Sequence, residues 1–327
     1  MSFELDGKTQ SIETFMKDFG ITSLMVVKDG QVRAERYQYG NQASSKMVVQ
    51  SVTKSVTSTA LGIAIEAGQI ASLEDPVINY IPELKGSPYG ASSIRNLADM
   101  TPGVAVPTTE APKDPTKTPR RVAYYDSDPA AVINWLKTFE KVAEPGSAFA
   151  YSDYNYYLLS LLIERAVGEP IEEYISKNIW EPAGMQYDAY MRTTHAGQVD
   201  GHGGMSMTLG DMARFGAFAM DSVKGTGGPH VSPAWFRDIS LASTSTGVRA
   251  PGAIDLFPIS ATKAGGGLFR VTEKPTLLGT MELLRHWAPT IRPFTSFRAR
   301  ARLLPCSLPP TFMLRNFSYM GRNWPQR

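Results

Sequence analysis

One cysteine, Cys306, is all that the 327 residues contain, so no disulfide can form within the chain and a reducing setting is expected. No apolar run reaches the length of a membrane span. The opening stretch, MSFELDGKTQ, is polar and acidic and has no apolar block like that of a secretion signal. A soluble, cytoplasmic protein with no membrane partner is expected from these absences. No Cys/His cluster has metal-ligand spacing and no glycine-rich phosphate loop occurs, so neither a metal nor a cofactor is expected. Internal repeats are also missing.

What remains is ordinary in bulk: 43% hydrophobic and 20% charged residues, the balance of a globular protein. The length suits one large domain or two small ones around a sizeable core. The charge is unevenly placed. Residues 264–327 hold ten basic and two acidic side chains, whereas the preceding 263 hold 23 basic and 29 acidic. A basic tail on an acidic body is one signature of nucleic-acid binding.

The segment SLMVVKDGQVRAERY alternates about a Lys-Asp-Gly turn and predicts a β-hairpin from Ser23 to Tyr37. A buried helix follows, opening near Ser51 and capped by Gly68. Residues 75–210 read as mostly helical with long loops. Asp128–Glu140 and Asn155–Val167 carry good helix patterns, and Thr208 with Asp211 forms a capping-box arrangement. The order is hairpin, helix, helical insertion, then mixed structure. It predicts an α/β body carrying a helical subdomain at about 75–210, with a cleft where the two meet.

The first turn of the predicted helix holds Ser51 and, three residues on, Lys54. A helix N-terminus is partly positive, so a lysine there is locally unfavourable. Positions i and i+3 share a helix face, which places the amine beside the hydroxyl. Partial desolvation next to a helix N-terminus favours the neutral amine, which can act as a base on serine. The N-terminal N–H groups can bind a developing oxyanion. On these residues alone, a capping Ser51 with a solvated Lys54 competes, because Ser-x-x-Lys arises about once by chance in a chain this long. A second copy, Ser260 to Lys263, lies between Pro258 and a glycine run, where no helix supports the geometry.

About one hundred residues downstream, Tyr151-Ser152-Asp153 precedes a buried helix pattern. Together with SVTKSVTSTALGIAIEAGQIASLEDPV, IPELKGS, IRNLADMTPGV, PGSAFAYSDYN and GGMSMTLGDMARFGAF, this resembles the serine β-lactamase and penicillin-binding-protein superfamily. The resemblance is nearest to its class-C-like branch of esterases and 6-aminohexanoate-dimer hydrolases, and it runs over residues 20–240. It implies an α/β fold, an antiparallel sheet flanked by helices, with residues 1–263 as the hydrolase domain. It implies Ser51 as the acylated nucleophile, Lys54 as its base partner and Tyr151 as a proton shuttle to the leaving group. The expected activity is hydrolysis of a small ester or amide, a linear amide or β-lactam included.

Asp153 stands where many relatives have an asparagine that donates to substrate amides. A carboxylate donates only when protonated, which favours the esterase reading over the β-lactamase one. Tyr124 and Tyr125 read either as loop packing or as cleft lining, with Tyr125 assigned to substrate binding. His202, in DGHGGM, reads as a solvated loop histidine.

The resemblance also implies a third motif on a C-terminal strand, lining the cleft and supplying a second oxyanion donor. Lys263-Ala264-Gly265 has similar letters but no strand pattern around it. The arginine- and proline-rich residues that follow suit neither central strands nor a terminal helix. Permitted codons for His286–Arg298, read one nucleotide earlier, encode a strand-turn-strand pattern. The tail 264–327 is therefore read as a frameshifted remainder of the same domain, not as a nucleic-acid-binding element. Irregular packing after about 265 is expected, with Phe294, Phe297 and Phe312 exposed, and with weakened activity or none.

Overall fold

The computed structural model describes residues 2–5, 7–105, 123–226, 232–240 and 311–316. Strands β1 (Ser2–Leu5) and β2 (Lys8–Ser11) pair antiparallel and lead into helix α1 (Ile12–Asp18). Ser11 caps α1 by accepting the Thr14 N–H at 3.0 Å. Strands β3 (Ser23–Lys28) and β4 (Gln31–Tyr37) form the hairpin over the residues expected for it. Its turn residues Asp29 and Gly30 have φ of 54° and 70°, the positive pair that matches the twist of a two-residue hairpin. Ile12, Phe15 and Met16 of α1 pack with Ile21, Leu24 and Ala34 of the hairpin region, closing a small core.

After the short strand β5 (Met47–Val48) and a 3₁₀ turn at Gln50–Val52 comes helix α2 (Thr53–Glu66). Twelve of its fourteen residues, Thr53 to Ala64, are buried, so this helix is a central pillar and not a surface one. Gly68 follows with φ 72°, the left-handed position that ends a helix. Helices α3 (Ile94–Ala98), α4 (Ala131–Leu136), α5 (Asp153–Val167) and α6 (Ile171–Ile175) supply the middle of the chain. Helix α5 is the second pillar and packs on α2. Strand β6 (Ser206–Met207) pairs with β5, and helices α7 (Leu209–Lys224) and α8 (Pro233–Ser240) follow. A continuous core joins Val56, Leu61 and Ile63 of α2 to Leu158, Leu159 and Leu162 of α5. Each such side chain contributes about 1.5–3 kcal/mol on burial.

Helix α4 is shorter than the 128–140 pattern predicts. At its front, Asp126 and Asp128 carboxylates accept the N–H groups of Asp128 and Ala130, which fixes a turn. Behind it, Thr138 Oγ1 donates to the Trp135 carbonyl at 2.6 Å. Both compete with helical hydrogen bonds.

Strand β7 (Thr311–Asn316) pairs antiparallel with β3, giving the sheet order β4-β3-β7, and packs on α7. The tail is therefore not irregular throughout: Phe312 lies on a strand with its backbone paired to Val27. Phe294, Phe297, the second Ser-x-x-Lys at 260–263 and Lys263-Ala264-Gly265 lie outside the described residues. The architecture is the α/β arrangement expected, with helices and short antiparallel sheets.

Candidate active site

Two helix N-termini converge here, those of α2 and α5. The chain enters α2 through Gln50, whose φ of 47° is left-handed for a side-chain-bearing residue. That conformation costs on the order of 1–3 kcal/mol and persists only where neighbours enforce it. Three bonds do so. Val49 N–H donates to the Met205 carbonyl at 2.8 Å, Thr53 Oγ1 to the Gln50 carbonyl at 2.6 Å, and Met205 N–H to Thr53 Oγ1 at 3.2 Å. Ser51 is the next residue and lies partly open to solvent.

Helix α5 is capped by Ser152, whose Oγ accepts the Tyr154 N–H at 3.3 Å. Asp153 then occupies the first turn, where the helix dipole favours a carboxylate. The residue before the cap is Tyr151. Its hydroxyl donates to Ser51 Oγ at 2.9 Å, across one hundred residues of sequence.

Lys54 is 1% exposed and has three polar partners. Its Nζ donates to Ser51 Oγ at 3.2 Å, to Asp153 Oδ1 at 2.8 Å and to the His202 carbonyl at 2.8 Å. It also lies 4.9 Å from the Tyr151 ring centroid. The structure thus brings Ser51, Lys54, Tyr151 and Asp153 into one cluster, and Ser51 Oγ sits between an amine and a phenol.

The protonation state departs from the sequence expectation of a neutral amine. Burial pushes the Lys54 pKa down and is the largest single influence, but the Asp153 carboxylate and Tyr151 outweigh it and hold the value above 10.5. That direction favours the ammonium form of Lys54. The dipole of α2 and desolvation both favour a neutral amine, and the carboxylate delivered by α5 opposes them. Asp153 is correspondingly the counter-ion of Lys54, with its side chain 29% exposed, and not simply a substrate contact.

His202 is 3% exposed, so the expectation of a solvated loop histidine is wrong. Its loop is pressed onto α2 and α5. A Cβ on Gly201 would sit 2.5 Å from Ser160 Cβ, and Thr57 Oγ1 donates to the Gly201 carbonyl at 2.7 Å. The His202 ring lies between two acids. Nδ1 is 3.6 Å from Asp153 Oδ1, and Nε2 is 2.7 Å from Asp200 Oδ1. The second contact is one of proximity, without hydrogen-bond alignment. Asp200, 1% exposed, is in turn gripped by the Arg192 guanidinium through Nε at 2.9 Å and through Nη2. Sequence reasoning missed Asp200 and misplaced His202. The available signal was the glycine density of DGHGG, which permits close backbone approach.

Tyr125 is 64% exposed, and its main-chain carbonyl meets His195 Nδ1 at 2.8 Å. Tyr124 is the one turned inward, with its ring 5.7 Å from that of Tyr157 and 6.4 Å from that of His202. Among the described residues, no group of three or more His, Cys, Asp or Glu is arranged to hold a metal ion. No described helix is long and apolar enough to cross a membrane.

Known proteins resemble this chain in sequence and overall shape. The 6-aminohexanoate-dimer hydrolase of Paenarthrobacter ureafaciens is 28% identical over 254 residues, covering 76% of this chain and 64% of the relative. A Bacillus anthracis protein provisionally assigned as a 6-aminohexanoate-dimer hydrolase superposes with a TM-score of 0.66 at 25% identity, over 79% of this chain and 68% of that one. A class C β-lactamase from Rhodobacter sphaeroides shares the fold, with a TM-score of 0.52 at 18% identity, over 70% of this chain and 69% of its own. The chain spans about half to two-thirds of the length of the curated relatives it matches. The family model described as Beta-lactamase matches residues 9–255, most of the chain and all four clustered side chains, so the chain belongs to the β-lactamase family.

Proposed function

We propose that this chain is a serine hydrolase that opens a small ester or amide through an acyl-enzyme on Ser51. The observation that carries the reading is Ser51 Oγ held at once by Lys54 Nζ at 3.2 Å and Tyr151 Oη at 2.9 Å. A hydroxyl placed between a cation and a proton carrier has what nucleophilic catalysis needs.

In acylation, Ser51 Oγ bonds to the substrate carbonyl carbon and the carbonyl π-bond opens to an oxyanion. The Ser51 proton passes to Tyr151 Oη, while the Tyr151 proton passes to the leaving oxygen or nitrogen. The oxyanion then collapses and the bond to the leaving group breaks. Water attacks the acyl-serine by the reverse relay and returns a proton to Ser51. The Lys54 ammonium cannot accept a proton, so it acts by charge, stabilising the negative charge that develops on Ser51 Oγ and Tyr151 Oη. The N–H groups at the front of α2 serve the oxyanion.

Asp153 sets the substrate preference in this reading. Its Oδ1 is committed to Lys54, and an ionised carboxylate offers substrate only acceptors. Esters, which ask for no donor there, are favoured over β-lactams. The name of the Paenarthrobacter relative supports the hydrolase class and keeps a linear amide among the substrates. Nucleic acid has no part in this activity, and the single cysteine supports a cytoplasmic location.

A second reading, a family member with weakened catalysis, is favoured by the absence of a recognisable third motif in the sequence of 264–327. A short-chain nitrophenyl ester tests both. A product burst matching enzyme concentration, lost in Ser51→Ala, supports the hydrolase. Activity that appears only when the reading frame after about residue 264 is restored supports the second reading. Turnover unchanged in Ser51→Ala rejects both.

A further inference from the structure

We propose that His202 is a positioning residue for the nucleophile cluster, acting by locking Asp153 onto Lys54 from behind. The proposal rests on the hydrolase reading, and it concerns a side chain outside the set Ser51, Lys54 and Tyr151.

The loop that carries His202 grips Lys54 twice. Its main-chain carbonyl accepts the Lys54 ammonium at 2.8 Å, and its ring faces the carboxylate that neutralises that ammonium, with Nδ1 3.6 Å from Asp153 Oδ1. The same carboxylate oxygen therefore meets Lys54 on one side and His202 on the other. Asp153 is 29% exposed, so without the ring its carboxylate has room to rotate toward the cleft and leave Lys54. The ring is itself held. Asp200 Oδ1 stands 2.7 Å from Nε2, and Arg192 fixes Asp200 from the surface, where half of the Arg192 side chain is exposed. The result is a line of contacts, Arg192, Asp200, His202, Asp153, Lys54, that ends on Ser51.

Simple space-filling does not account for this line. An apolar residue at 202 would fill the volume beside Tyr124 but would leave Asp200 and Asp153 facing it, one carboxylate almost fully buried. Asp200 keeps Arg192 and Asp153 keeps Lys54, so what the ring adds is a polar edge facing each acid, which an apolar side chain lacks. The chemical consequence concerns rate. Lys54 must stay within 3.2 Å of Ser51 Oγ for its charge to act there, and a displacement of 1 Å can cost about 10²-fold.

The test compares His202→Leu with His202→Gln, which keeps polar reach to one acid. With a nitrophenyl ester, His202→Leu is expected to lower kcat by about 10²-fold with KM nearly unchanged, and His202→Gln to recover part of the loss. Equal losses in both variants, or a change confined to KM, would overturn the proposal. A thermal-unfolding double-mutant cycle between His202→Gln and Asp153→Asn gives a readout free of turnover. Strong non-additivity is expected, and additive effects would overturn the positioning role even if the chain proved to be no hydrolase. Turnover equal in wild type and Ser51→Ala, beside a non-additive cycle, would reject the hydrolase reading while keeping the lock.

Discussion

Lys54 Nζ lies 2.8 Å from Asp153 Oδ1, so the cation at the front of one buried helix is neutralised by an anion at the front of another. Only one of the two charges suits its own helix. Lys54 opposes the dipole of α2, and Asp153 is favoured by that of α5. Together they form a pair whose lysine is almost fully buried. Removing one partner of a buried pair typically costs about 3–5 kcal/mol. Lys54→Ala is expected to cost about 3 kcal/mol, the low end of that range, because Asp153 keeps partial contact with water. Chemical denaturation checks this, and an unchanged midpoint would show the pair to be unimportant.

The same pair sets a pH signature. The folded-state pKa of Lys54 is raised above its ordinary 10.5 by Asp153 and Tyr151, despite the opposing pull of burial. A raised lysine contributes stability that is fully present below its unfolded pKa and is lost as pH rises through the folded value. The stability difference between wild type and Lys54→Met should therefore be flat from about pH 7 to about pH 9 and shrink only at higher alkalinity. A difference that fades near neutrality would mean that the lysine is neutral there.

Tyr151→Phe removes the hydroxyl that sits 2.9 Å from Ser51 Oγ and leaves the ring near Lys54. Loss of a positioned proton carrier is expected to lower kcat by about 10²–10⁴-fold. Combining it with Lys54→Met should add far less than a second loss of that size, since the groups act as one unit. Steady-state kinetics on the single and double variants decide it; multiplicative losses would show independent roles.

Gly201→Ala tests the loop from the packing side. The added methyl would meet Ser160 Cβ at 2.5 Å, a distance that forces the loop or α5 to shift. Overpacking of this kind costs about 1–3 kcal/mol. Because Gly201 adjoins His202, kcat should fall together with the melting temperature. A variant with wild-type stability and rate would place the loop farther from α5 than described.

Legibility in the sequence followed the range of the forces involved. The Ser23–Tyr37 hairpin was readable because the turn chemistry and the alternation are local. So were the Thr208 cap of α7 and the burial of α5. Helix α4 was read too long because aspartate turns at 126–130 override the apolar pattern. Ser51, Lys54 and Tyr151 could be picked out by motif, and the structure brings Lys54 Nζ and Tyr151 Oη to 3.2 and 2.9 Å from Ser51 Oγ. What no local pattern carries is charge compensation between distant segments. Asp153 reaches Lys54 across 99 residues, and the His202 carbonyl reaches it across 148. The acidic partner of the lysine is not legible for that reason, and neither is the burial of His202.

The central claim is that Ser51 becomes covalently acylated. Intact-protein mass spectrometry after brief mixing with a nitrophenyl ester, quenched in acid, tests it most directly. One added acyl mass per chain is expected, located by peptide mapping on Ser51, absent in Ser51→Ala and greatly slowed in Tyr151→Phe. An adduct of equal yield in Ser51→Ala, or turnover of the ester with no adduct at Ser51 at any quench time, would contradict the account.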